Sequence, residues 1–69
     1  MNARALRGVV TAFDGPVGLG EITAADGTVY PFHCIAIADG SRSIEVDTAV
    51  SFDLLAKLGR YEATAIQSA

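Results

Sequence analysis

Apolar residues come in short runs along this chain, separated by turn-forming clusters, and in several runs they alternate with polar ones. From Leu6 to Phe13 the run contains Val9-Val10-Thr11, β-branched residues whose stiff side chains suit a pleated strand. Asp14-Gly15-Pro16 ends it as a turn, because glycine tolerates positive φ and proline fixes its own. Gly18 to Thr23 is a second run, followed by Ala25-Asp26-Gly27, and Asp-Gly is a strong hairpin signal. Val29-Tyr30-Pro31-Phe32-His33 predicts a third strand, at a sheet edge or a bulge, since Pro31 has no amide to donate. Cys34 to Ile37 is apolar and brief enough for a single helical turn, and Ala38 to Ser43 reads as a polar loop.

Further on, Ala49 to Leu54 alternates apolar with polar at period two, and Tyr61 to Ile66 alternates again; both predict half-buried strands. The stretch between them is ambiguous. Leu54-Leu55-Ala56-Lys57 are good helix formers, and Gly59 stands where a helix C′ glycine would, so pattern alone also permits a helix over Phe52 to Leu58 and an α+β fold. Several short strands spaced about a dozen residues apart favour a small sandwich or barrel.

Length narrows this to one domain over residues 1–69, too short for more than a single small core. No run approaches the roughly 18 apolar residues of a membrane span, and the start has no signal-like apolar stretch. The lone Cys34 cannot close an internal disulfide, so a reduced, cytoplasmic protein is expected. Five basic residues face eight acidic ones, for a net charge of −3. The cations, Arg4, Arg7, Arg42, Lys57 and Arg60, are scattered rather than gathered into the basic stripe that phosphate neutralisation favours.

The order of residues from Gly8 to about Ile66 resembles the bacterial cold-shock domain. The family opens with a Gly-x-Val-x-x-Phe-Asn strand, matched here by Gly8-Val9-Val10-Thr11-Ala12-Phe13-Asp14. Its first ribonucleoprotein motif, Lys-Gly-Tyr/Phe-Gly-Phe-Ile, aligns with Val17-Gly18-Leu19-Gly20-Glu21-Ile22. The second, Val-Phe-Val-His-Phe, aligns with Tyr30-Pro31-Phe32-His33-Cys34, and the Ser-Ala-Ile after it with Ile35-Ala36-Ile37. The family's Ala-Val-x-Phe strand is matched by Ala49-Val50-Ser51-Phe52. The resemblance implies an all-β fold, a small five-stranded antiparallel OB-type barrel with one short helical turn after strand 3. Val10, Ile22, Tyr30, Phe32, Ile37, Val50, Phe52 and Ile66 would fill it, and the helical signal at Leu54-Leu55 would yield to the barrel.

The resemblance also implies single-stranded RNA or DNA binding, through exposed rings that stack on bases and lysines that meet phosphates. Here the matching positions are largely replaced. The strand-one tryptophan is Ala12, the first-motif rings are Leu19 and Glu21, the second-motif phenylalanines are Pro31 and Cys34, and a loop phenylalanine falls at Ser41. Lysine positions are taken by Val9, Thr11 and Val17. Phe13 and His33 remain as rings able to stack. With Leu19, Arg42, Arg60 and Tyr61 they form the candidate nucleic-acid contacts, and the expected binding is weak and salt-sensitive. The alternative is a protein partner or self-association through an apolar face around Phe13, Leu19 and Pro31, with Ala12, Val17 and Cys34 also turned to solvent.

Catalysis and cofactors are not expected. His33 and Cys34, as strand neighbours, would point to opposite faces, and no second His or Cys completes a zinc site. Gly18-Leu19-Gly20 lacks both the third glycine of a dinucleotide fingerprint and the Gly-Lys-Ser/Thr of a Walker loop. The carboxylates Asp14, Glu21, Asp26, Asp39, Asp47 and Asp53 have no apolar setting that would raise a pKa for acid–base work. Ser41, Ser43 and Ser51 lack a nucleophile elbow.

Overall fold

The computed structural model describes residues 6–69; Met1–Ala5, including Arg4, lie outside the described residues. Five strands appear, β1 (Leu6–Asp14), β2 (Leu19–Ala24), β3 (Val29–His33), β4 (Ala49–Lys57) and β5 (Arg60–Ser68), with one 3-10 turn (Cys34–Ala36) after β3. They form one antiparallel sheet in the order β3-β2-β1-β4-β5. The fold is all-β and OB-like. Its barrel is not closed by a full ladder: β3 lies against β5, and among the described residues one isolated parallel bridge joins Ile37, just past the 3-10 turn, to Ile66 of β5. At that bridge the Ala38 amide donates to the Ile66 carbonyl at 2.8 Å. None of the described helices is long and apolar enough to cross a membrane.

The core is small and apolar. Val10, Ile22, Phe32, Ile37, Val50, Phe52, Ala63 and Ile66 are buried, with Leu6, Phe13, Tyr30 and Ile44 packed against them. Tyr30, expected inside, is half-buried instead; its ring lies 5.8 Å from that of Phe52, tilted by 57°. Pro31 sits on β3, an edge strand, where its missing amide costs no ladder bond.

The helical alternative over Phe52 to Leu58 is not taken up, because β4 runs as a strand through Lys57. Leu58-Gly59 then makes a two-residue hairpin that pairs Lys57 with Arg60. Gly59 adopts φ +75°, the left-handed conformation that both a helix C′ position and a tight hairpin request, which is why its local signal was shared by the two readings.

The other turns follow their chemistry. In the β2–β3 turn the Thr28 amide donates to Asp26 Oδ1 at 2.9 Å and Gly27 takes φ +92°. In the long loop before β4, the Ser41 amide donates to Asp39 Oδ1 at 2.9 Å. That loop docks back on β1, where Asp47 donates to the Val10 carbonyl and the Val10 amide donates to the Thr48 carbonyl.

A candidate ligand groove on the outer face of β1, β2 and β3

Pairing register decides which side chains share a face. Across the first three strands, Asp14 pairs with Leu19 and Leu19 with His33; the next outward row is Ala12, Glu21 and Pro31. Between these rows, on the opposite face, run Phe13, Gly20 and Phe32, followed by Val10, Ile22 and Tyr30. A bulge makes this possible. Val10 pairs with Ile22 but Ala12 pairs with Glu21, so Thr11 is an extra residue that reverses the in–out alternation of β1. The Thr11 hydroxyl lies 3.0 Å from that of Thr23 on the neighbouring strand.

The inward rows are tightly fitted. Phe13 and Phe32 stack with ring centroids 6.0 Å apart and planes within 9°. Gly20, between them in the ladder, leaves room for the Phe32 ring. A Cβ there would stand 2.5 Å from Phe32 Cζ and 2.8 Å from the Ala12 carbonyl oxygen. Gly20 is therefore a packing glycine. Gly18 has a separate reason, φ +78° at the end of the β1–β2 turn, where its carbonyl accepts from the Cys34 amide at 2.8 Å.

The outward rows line an open groove of about 540 Å³ that continues to Arg60 and Glu62 on β5. Of the sequence-predicted site residues, Phe13, Leu19, His33 and Arg60 come together in it. Two do not. Tyr61 is exposed but alternates to the face of β5 opposite Arg60 and Glu62, where it pairs with Ala56. Arg42 sits in the exposed loop between the helical turn and β4, at φ 61°, and lines no part of the groove.

The expected solvent-facing patch is also corrected in two places. Phe13 turns inward onto Phe32 rather than outward, leaving only part of it on the groove. Cys34 is half-buried and begins the 3-10 turn instead of ending a strand; its sulfur packs over Gly18. Ala12, Val17 and Leu19 are exposed, as expected, and Pro31 is half-buried.

The groove is acidic. Among the described residues, Asp14, Glu21 and Glu62 contribute three carboxylates to its lining against the one guanidinium of Arg60. That guanidinium is already engaged, lying 3.4 Å from Glu62 Oε2, and Glu62 is mostly buried while Arg60 is exposed. Sequence reasoning listed Arg60 as a phosphate contact and missed Glu62; residues two apart on a strand share a face, which was the available signal. His33 is the one ring standing on the outward rows, and it is exposed.

Among the described residues, no three His, Cys, Asp or Glu side chains gather closely enough to hold a metal ion. In comparisons with known proteins, no family model matches the chain and no curated sequence aligns with it significantly.

Proposed function

We propose that this protein is a non-enzymatic binding module of cold-shock type whose ligand surface is the outer face of β1, β2 and β3, and that it holds single-stranded nucleic acid only weakly. The observation that carries this reading is the make-up of the groove among the described residues: one outward ring, His33, among three carboxylates, with the Arg60 guanidinium tied to Glu62. A base stacked on an aromatic side chain contributes about 1–3 kcal/mol. One such stack, opposed by anionic neighbours, falls short of the about 4 kcal/mol of a 1 mM dissociation constant, so binding is no tighter than millimolar.

A protein partner is the second reading, favoured by the apolar part of the same face. Leu19 and Val17 are 43% and 63% exposed beside the half-buried Pro31 and Phe13, enough to offer an apolar segment a foothold.

Titration with oligo-dT and a mixed-sequence RNA at low salt, followed by amide shifts of Leu19 and His33, tests the first reading. Shifts that saturate only near millimolar ligand and vanish on adding salt are expected. Saturation at micromolar ligand would overturn the view of a depleted face. No shift at several millimolar would leave the protein-partner reading in its place.

A further inference from the structure

His33 is the one histidine of the chain, and histidine is the one side chain whose ordinary titration falls between pH 5 and 8. β3 ends on it, and pairing with Leu19 sets it on the outward rows, where it is exposed. Its imidazole has no hydrogen-bond or ion-pair partner among the described residues. The charged groups that share its groove come from three other strands. β1 brings Asp14, β2 brings Glu21, and β5 brings Glu62 and Arg60, while β3 itself carries no other charge. Cys34, the next residue, packs its sulfur over Gly18.

We propose, building on the nucleic-acid reading of this groove, that His33 is its acid switch: protonation of the imidazole turns a poor holder of single strands into a better one. At neutral pH a strand of phosphates meets three carboxylates and a guanidinium already held by Glu62 among the described residues. Neutral imidazole offers that strand a flat ring and one N–H donor. Imidazolium offers the same ring, two N–H donors and a positive charge.

The stacking surface is kept while a phosphate contact is gained at the same position. Hydrogen bonds from an ionised donor to phosphate are roughly twice as strong as neutral ones. The gain is electrostatic, so it carries a salt signature that stacking lacks. Each cation that meets a phosphate steepens the fall of affinity with salt. A ring that only stacks leaves that dependence unchanged.

Titration of the full chain with short oligo-dT at about pH 7.5 and about pH 5.5, followed by the Leu19 and Glu21 amides, tests the switch. Oligo-dT without terminal phosphates does not itself titrate in this span, which lies above the ordinary carboxyl range. Binding should tighten about fivefold at the lower pH, a tenfold gain diluted by histidine's partial charge at both ends. The slope of log affinity against log salt should steepen by about 0.7, the single-strand value for one added phosphate contact. H33F keeps a ring for stacking, removes the proton and leaves every other titrating group in place. It should hold oligo-dT at the higher pH at least as well as the parent chain, yet lose both the tightening and the added slope. Equal binding at both pH values overturns the switch and leaves the nucleic-acid reading intact. A tightening that H33F retains overturns it as well, since the charge then lies elsewhere. No binding at either pH, even at several millimolar ligand, removes the reading and the switch together.

Discussion

The inward and outward rows of β1, β2 and β3 are carried by the same ladder, about two strand spacings or roughly 10 Å across, yet they obey different constraints. Inside, Phe13, Gly20 and Phe32 fit so closely that a single added methyl group would collide with a ring and a carbonyl. Outside, Ala12, Leu19, Glu21 and His33 are exposed and make no side-chain hydrogen bond among the described residues. The shape of the sheet is thus held by one set of residues and the character of its exposed face by another. That separation leaves the exposed face free to change without disturbing the fold.

The separation can be broken from the inside most easily. Phe32→Ala should remove about 3–5 kcal/mol of stability, enough to unfold most of a domain this small, as read by urea denaturation. Gly20→Ala, a change of one methyl group, should still cost about 1–3 kcal/mol, because the ring and the Ala12 carbonyl must both shift. A cost under 0.5 kcal/mol would show that the Phe32 ring has space to retreat.

On the outside the effects should fall on affinity instead. Glu21→Phe replaces an exposed carboxylate with a ring in the middle outward row, and should tighten oligo-dT binding about 5- to 150-fold, the range of one base stack. Its unfolding midpoint should stay within about 0.5 kcal/mol of the parent. A larger stability change would mean that the two faces are coupled.

The smallest effect touches neither face. The Thr28 amide holds the Asp26 carboxyl below its ordinary pKa, and the Ser41 amide does the same for Asp39. Carboxyls lowered in the folded state contribute stability above their ordinary pKa and lose it as pH falls through the lowered value. Acid titration followed by NMR should therefore show both side chains protonating later than those of a denatured peptide. D26N should erase the part of this acid sensitivity that comes from the β2–β3 turn.

Much of this was legible in the residue pattern. Period-two alternation and the cold-shock-like order placed Val10, Ile22, Phe32, Ile37, Val50, Phe52 and Ile66 inside, and Pro31 on an edge, because apolar periodicity and a missing amide are direct physical signals. Ala63 was missed because a small side chain carries little hydrophobic signal even where it is fully enclosed. The two irregularities were invisible for a different reason. Thr11 in β1, and the one extra residue of β5 near Ala65 at φ 51°, are ordinary in kind, and only the partner strand reveals that they are supernumerary. The same blindness misplaced Phe13, whose orientation depends on the Thr11 bulge. Arg42 and Tyr61 were chosen for their chemistry; neither loop position nor strand parity puts them with the groove.

Thr11 also bears on which face of the sheet carries an aromatic ring. Were the ladder regular from Val10 onward, Ala12 would fall opposite Gly20 and Phe13 opposite Leu19, exchanging the small side chain and the ring between core and solvent. Deleting Thr11 would instead leave Ala12 opposite Glu21 and Phe13 opposite Gly20, so the ring faces the core because the bulge absorbs one residue. One supernumerary residue, rather than any particular side chain, decides which face the ring takes.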